Sequence, residues 1–357
     1  MTRTIRTVVL LCTATVALSA QQSTDSTRVR LTGFVDTYYA FDVTRPADGE
    51  RRFTTQPVRH DEVNVNLAWI GVTVERSRMR ARLSMQAGTS VQVNYASEPR
   101  RGSTSGPELS RLLQEAVVGY RLADKVWIDG GVYSSYIGLE GWTSADNPTY
   151  TRSLVADYTP YYLSGAKLTW VAAPRLTAQL HVMNGWQNIS ENNRSKAIGA
   201  RLDYTVSPAV TVSYANFFGN EAPIGSTSAV RIFNQVMARG TAGGLQWQGQ
   251  VDVGQQAGSR WHGLVAIVRR SVTPRVALVG RVERYADPDQ VIITTSRPFG
   301  FTGNGASAGV DVQLDGGLRW RSELRGTRTT EALYPVGPAA RPERTNGVLV
   351  TSLSVGF

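Results

Sequence analysis

Cysteine is almost missing from this chain of 357 residues: there is one, Cys12, and it lies inside the N-terminal leader described below. Past that leader no disulfide and no thiolate metal site can form. Leu11 precedes Cys12, where a lipoprotein signal would need a small residue, so Cys12 reads as leader filler. Histidine is nearly as scarce, with three. His60 adjoins Asp61, but His181 and His262 are far away in sequence. A hydrolase at a rim would need a serine and an orienting polar group beside such a histidine, and no Gly-x-Ser-x-Gly spacing supplies them. No catalytic residue is assigned. Regularly spaced carboxylates are lacking too: Asp287 and Asp289 flank Pro288 without the repeat of a calcium loop. No metal and no cofactor is implied.

Long apolar runs are also absent beyond the first twenty residues, so no segment could cross a membrane as a helix, which takes about 18 or more apolar residues. Those first twenty, MTRTIRTVVLLCTATVALSA, place Arg3 and Arg6 before an apolar run from Val8 to Leu18 and small residues ending at Ala20. That order is a secretory signal peptide. The expected organisation is a signal peptide over 1–20 and a single exported domain over 21–357. Charged residues make up only 18% of the chain, with a net charge of +10. Arginine is spread evenly with no block of like charge, so nucleic acid is not an expected partner.

What the chain has in quantity is alternation. Leu245, Trp247, Gly249, Val251 and Val253 share one face of an extended segment, and Gln246, Gln248, Gln250 and Asp252 share the other. Ile198, Ala200, Leu202, Tyr204 and Val206 repeat this against Arg201, Asp203 and Thr205. Leu318, Trp320 and Leu324 repeat it against Arg319, Arg321, Glu323 and Arg325. The pattern predicts about sixteen strands, over 28–43, 62–75, 78–92, 113–122, 125–135, 158–172, 175–185, 196–206, 209–219, 229–239, 243–255, 259–271, 274–286, 303–314, 317–328 and 345–357. Most are longer than the usual five or six residues. Eleven residues tilted by some 40–45° rise roughly 25 Å, the height of an outer-membrane barrel's apolar band.

Connection lengths separate a barrel from a soluble sandwich. Tight turns such as Ala123-Asp124, Ser207-Pro208 and Asp315-Gly316 alternate with longer connections over 44–61, 93–112, 136–157, 186–195, 220–228, 287–302 and 329–344, with only 256–258 short. Short turns on one rim and long loops on the other are the mark of a transmembrane barrel, the short side being periplasmic. Trp69, Trp170, Trp186, Trp261, Trp320, Tyr39, Tyr162, Tyr204, Tyr214 and Phe218 fall near strand ends, where aromatic girdles are expected. The last strand, GVLVTSLSVGF, puts Leu349, Thr351, Leu353, Val355 and Phe357 on one face and stops at the aromatic. Closure against the first strand would remove both sheet edges, as lipid requires.

That C-terminal pattern resembles the assembly signal of bacterial outer-membrane proteins, which implies Phe357 as its terminal aromatic and the barrel-assembly machinery as a partner. Three further stretches, GFVDTYYAFD, QEAVVGYRLADKVWIDGGVYSSYIGLEGW from Gln114 and VMNGWQNISENNRSKAIGARLDY from Val182, resemble the beta-barrel porins of the OmpL-like family. The resemblance runs in order along nearly the whole exported chain, and its distinctive part is the Asn-Gly-Trp turn followed by an Asn-rich loop. It implies an outer-membrane porin or transport channel.

In GFVDTYYAFD, Val35 and Tyr39 are then expected against lipid, with Asp36 and Tyr38 toward a wet lumen. Other inward positions carry Arg80, Arg82, Lys167, Arg201, Arg281, Arg319, Arg321 and Arg325 against Asp36, Asp203, Asp252, Glu283, Asp311 and Glu323. A basic surplus in a pore attracts anions; alternatively these arginines pair with the carboxylates and hold the wall together. A wide barrel needs narrowing, and the longest connection, Ser135 to Tyr158, is the candidate. Its Glu140, Trp142, Asp146 and Tyr150 could form a constriction, with carboxylates facing the arginines of the third, eighth and fifteenth strands. The alternative is a loop packed over the rim or against a neighbouring barrel.

The reading is thus an all-β protein, a closed antiparallel transmembrane barrel in the cell outer membrane. Its partners would be outer-membrane lipid and small hydrophilic solutes, with a homo-oligomer left open. The expected function is passive diffusion without a chemical step. The competing readings are a structural or adhesive barrel and a rim-located hydrolase.

Overall fold

The computed structural model describes residues 26–357; the leader expected over 1–20 lies outside them. Strands run at β1 (Arg28–Asp42), β2 (Val63–Arg76), β3 (Met79–Ala87), β4 (Leu113–Ala123), β5 (Val126–Ser134), β6 (Tyr162–Ala173), β7 (Leu176–Met183), β8 (Ala197–Ser207), β9 (Val210–Asn220), β10 (Val230–Ala242), β11 (Leu245–Gln256), β12 (Ser259–Ser271), β13 (Val276–Asp287), β14 (Phe301–Gln313), β15 (Arg319–Thr329), β16 (Tyr334–Val336), β17 (Arg341–Glu343) and β18 (Thr345–Gly356). β1 to β15 pair antiparallel in chain order, and β18 closes between β15 and β1 into a sixteen-stranded barrel, with β16 and β17 paired apart from it. Period-two alternation explains the closure. Each strand offers lipid an apolar face, and only a closed sheet satisfies every backbone group there.

At the seam Thr37 lies opposite Leu353. Gly33 and Phe357 exchange backbone hydrogen bonds of 2.8 and 3.0 Å. The Phe357 ring covers the place where a Gly33 side chain would stand. Gly131 and Gly165, opposed on β5 and β6, adopt φ of +133° and +156°. A Cβ on either would run into the Ala116 or Val182 carbonyl oxygen of the next strand, so only glycine allows this close approach.

The third strand ends earlier than the alternation predicts, at Ala87 instead of residue 92. Gly88, at φ +139°, turns the chain into a helix, α1 (Thr89–Asn94). The apolar Val91 and Tyr95 are thereby carried inside the barrel, where Tyr95 stacks on Tyr162 at 4.3 Å between ring centres. Two shorter helical turns, α2 (Pro107–Ser110) and α3 (Leu154–Asp157), lie in the second and third loops. The last long loop carries the β16–β17 hairpin.

The outer face is apolar as expected, with Leu202, Tyr204, Val282, Leu324 and Leu349 exposed to the surroundings. The aromatic assignment divides. Trp170, Tyr204 and Phe218 stand outside, whereas Tyr162 and Trp261 are buried within the barrel and Trp69 and Trp186 are half-buried there. Position near a strand end is common to both faces, so it cannot choose between girdle and interior.

The inward face also differs from the wet lumen expected for it. Over much of the loop-side half it is packed. Leu154 and Val155 from α3 join Phe217, Phe233, Trp261, Val265, Ile267 and Tyr285 of the wall in one buried cluster. A Cβ on the inward Gly263 would strike Val155, so the missing side chain is the seat of that valine. Each apolar side chain buried this way contributes roughly 1.5–3 kcal/mol. Asp36 faces inward beside them but is sealed from water. Its carboxylate accepts from Tyr150 Oη at 3.1 Å and Asn66 Nδ2 at 2.9 Å.

Candidate functional site

After β5 the chain enters the barrel, crosses it and returns at β6. Wall side chains hold this segment by its backbone. Gln235 Oε1 and Gln250 Oε1 accept from the amides of Gly138 at 2.7 Å and Leu139 at 3.1 Å. Glu323 accepts from the Thr151 amide and hydroxyl, both at 2.8 Å, and Glu283 accepts from the Leu154 amide at 2.6 Å. Arginines supply the complementary donors. Arg281 donates to Thr151 O at 2.6 Å, Arg321 to Ser144 O at 2.7 Å and Asn147 O at 3.0 Å, and Arg319 to Ala145 O at 2.9 Å. On the opposite wall Arg201 donates to Tyr136 O at 2.6 Å. Hydrogen bonds to charged groups contribute about 1.5–3 kcal/mol each, so a series of them pins the loop across the lumen.

Within the loop, Arg152 is fully buried and gathers the Gly141, Tyr150 and Trp142 carbonyls at 2.8, 2.6 and 2.8 Å. Sequence reasoning passed over Arg152 because a lone loop arginine gives no periodic signal. Glu140 turns into the loop, bonding the Ser153 hydroxyl; burial raises its carboxyl above the ordinary range against the pull of Arg281 and Arg152. Trp142 is sealed against Tyr95 and Tyr161, and Tyr150 reaches Asp36. Of the four residues picked from this loop, only Asp146 is exposed, and it lines the cavities on either side of the crossing segment. The expected opposition of loop carboxylates to wall arginines is therefore replaced by loop carbonyls. A carbonyl satisfies a buried guanidinium without bringing a second charge out of water.

The eight basic residues chosen from the pattern fall into two groups. Arg281, Arg321 and Arg325 are buried in a network: Arg281 lies 3.4 Å from Glu283 and 3.2 Å from Glu323, Arg325 lies 2.7 Å from Glu283, and Arg321 lies 3.1 Å from Asp311. Arg80, Arg82, Lys167, Arg201 and Arg319 stand nearer open space. Arg80 binds Asp129 at 2.6 Å, Lys167 lies 3.9 Å from the same carboxylate, Arg82 pairs with Glu115, and Arg201 binds Asp203 at 2.9 Å.

Below the crossing segment, on the short-turn side, are two adjoining cavities of ≈ 460 Å³ each, sharing Thr211 and Arg239. Arg269 and Arg319 border one, Lys167 and Arg201 the other. Arg239 is not singled out by alternation. It follows Arg231, Phe233, Gln235 and Met237 on the inward parity of β10, and that mixed face hides the alternation. Among the described residues it makes no hydrogen bond or ion pair. At the loop-side rim His60 and Asp61 point apart: His60 Nδ1 accepts from the Asp42 amide at 3.0 Å, and Asp61 accepts from Tyr39 Oη at 2.6 Å.

A family model described as "Putative beta-barrel porin-2, OmpL-like" matches residues 28–357. No curated protein matches the chain by sequence. Several solved structures share its fold. An anion-selective porin from Comamonas acidovorans superposes with a TM-score of 0.60 at 11% identity, over 93% of this chain and 100% of that one. The outer-membrane channel DcaP of Acinetobacter baumannii gives 0.62 at 7% identity, over 93% and 97%. OprB of Pseudomonas putida gives 0.58 at 11%, over 92% and 94%.

Proposed function

The chain belongs to the beta-barrel porin-2, OmpL-like family, an outer-membrane porin passing small hydrophilic solutes, and from that premise we propose that its lumen prefers anions. One observation carries the preference. In two ion pairs along the open wall, Arg80–Asp129 and Arg269–Asp311, the base is the exposed half and the acid the buried half, whereas Arg201–Asp203 is reversed, at 14% against 26%. The Arg80 side chain is 35% exposed against 1% for Asp129, and that of Arg269 is 23% against 4% for Asp311. A solute in the cavity meets the guanidinium first. Arg239 adds a positive charge that no described residue pairs, and a basic lining raises the local anion concentration. Asp203 and Asp146 are the exposed carboxylates that oppose this bias. The segment 135–161 acts as the constriction, leaving the solute path to the open wall. Transport involves no chemical step, and the rim pair His60 and Asp61 serves the loop backbone and Tyr39. Outer-membrane lipid surrounds the barrel, and the barrel-assembly machinery inserts it through the Phe357 strand. This takes residues 1–20 as the leader and 21–357 as one barrel domain.

Reconstitution in a planar bilayer tests the reading. Discrete ohmic steps with a reversal potential of anionic sign in a salt gradient support it. A cationic sign removes the anion preference, and silence from a folded barrel favours a structural or adhesive role.

A further inference from the structure

Outside the lumen, the loop-side rim of the lipid-facing wall carries a basic row that the pore does not use. Arg284 on β13 lies opposite Asn304 on β14, which lies opposite Arg328 on β15, and Arg328 lies opposite Thr345 at the start of β18. Arg344 comes just before Thr345. These side chains face outward, because Arg284 shares its parity with exposed Val282, and Arg328 shares its own with exposed Leu324. Thr302, Asn304, Arg328 and Arg344 line a groove of ≈ 390 Å³. Arg284 donates to Asn304 Oδ1 at 3.0 Å. Arg328 and Arg344 have no side-chain partner among the described residues, and neither Glu331 nor Glu343 in the adjoining loop pairs with them.

The wall beneath this row is smooth. One pair further into the membrane the outward positions are Val282, Ala306, Gly326 and Gly347, aligned across the same four strands. A Cβ on Gly326 would meet nothing within 4 Å, and Gly326 does not adopt a positive φ. Neither backbone strain nor internal packing requires glycine there, and mid-strand glycine costs roughly 0.5–1 kcal/mol relative to alanine. Such a glycine marks a place where something outside the protein comes close. Leu324 and Leu349 lie below it on the same parity. On the far arc, Val65, Met85, Val182 and Ile198, each within two residues of a strand end, are exposed and apolar.

We propose that this arc binds an outer-leaflet lipid with a phosphorylated headgroup, its phosphate on Arg284, Arg328 and Arg344 and an acyl chain along the channel over Ala306 and Gly326. Guanidinium suits phosphate because its fork of donors matches two oxygens and keeps its charge at every working pH. A lipid is the source, rather than free phosphate, because the row lies directly above an apolar surface facing the bilayer.

The test uses the full barrel in detergent micelles, with bound lipid counted by native mass spectrometry. The probes are lipid A, lipid A stripped of its phosphates, and inorganic phosphate. Wild type should retain lipid A, with affinity lowered about tenfold or more when the phosphates are removed. R284Q/R328Q/R344Q should show the same loss with unchanged heat-modifiable migration, and Gly326→Phe should weaken binding by filling the channel. Equal retention of the two lipids by wild type overturns the headgroup assignment without any variant. Competition by inorganic phosphate at equimolar concentration overturns the lipid as source. Undiminished binding to the folded triple variant overturns the site.

Discussion

Arginine serves opposite ends on the two sides of this lumen. Along β13 to β15 three inward arginines, Arg281, Arg321 and Arg325, are covered by the crossing loop and spend their donors on loop carbonyls and wall carboxylates. Along β3 to β10 Lys167, Arg201 and Arg239 remain at the edge of an open cavity while Arg231 is buried, and among the described residues Arg239 makes no hydrogen bond or ion pair. Residue type and strand parity are the same on both sides. The difference is whether another piece of chain lies on top, which turns one set into fasteners and leaves the other facing solute.

The comparison is broken most severely by removing its cause. Deleting residues 141–152 takes away the crossing segment and uncovers Arg281, Arg319 and Arg321. Single-channel conductance should rise at least about twofold, and anion preference should strengthen as buried cations join the lining. Unaltered conductance from a folded barrel would place the narrowing elsewhere.

Next comes the network beneath the loop. Glu283→Ala leaves Arg325 and Arg281 buried without their shared carboxylate and the Leu154 amide without its acceptor. Breaking a buried pair in this way costs about 3–5 kcal/mol, to be read as an earlier loss of the heat-modifiable form on a temperature series. Asp203→Ala, at a half-buried pair beside the open cavity, should cost less, about 1 kcal/mol. Equal losses would erase the distinction between the two walls.

Packing offers a smaller perturbation. Gly263→Leu puts a side chain where Val155 now sits. Overpacking costs about 1–3 kcal/mol, and here it should also loosen the loop and make conductance noisier. A quiet channel of normal stability would mean that Val155 is not seated there.

Charge reversal sharpens the contrast with almost no change in stability. Arg239→Glu should shift the reversal potential toward cations while unfolding stays within about 0.5 kcal/mol of wild type. Arg325→Glu should do the reverse, damaging the fold before selectivity can be read. A selectivity shift from Arg325 in a stable barrel would show that the sealed wall is in contact with the solute.

Least affected should be the finished barrel of Phe357→Asp. The ring is exposed beside Gly33, so insertion should slow while the assembled protein keeps nearly full stability. Normal insertion kinetics would remove Phe357 from the assembly signal.

Alternation, read together with strand length and the sorting of short turns from long loops, determined the barrel and most strand limits. Outward and inward faces of β8, β11 and β15 are those read from Ile198 to Val206, Leu245 to Val253 and Leu318 to Arg325, because lipid outside and closure around a lumen leave a period-two strand a single orientation. Parity also put all eight basic candidates on the inside. It could not say which of them stay accessible. That depended on where the segment between β5 and β6 lies, and on contacts such as Thr151 with Glu323 and Val155 with Gly263, which join residues more than a hundred positions apart. The misread end of β3 has the same origin: Val91 and Val93 alternate like a strand, but Gly88 bends the chain and Tyr95 finds its stacking partners only inside the closed barrel. A periodic pattern encodes which way a side chain points. What fills the space it points into is a property of the assembled barrel, since that space does not exist until β18 meets β1.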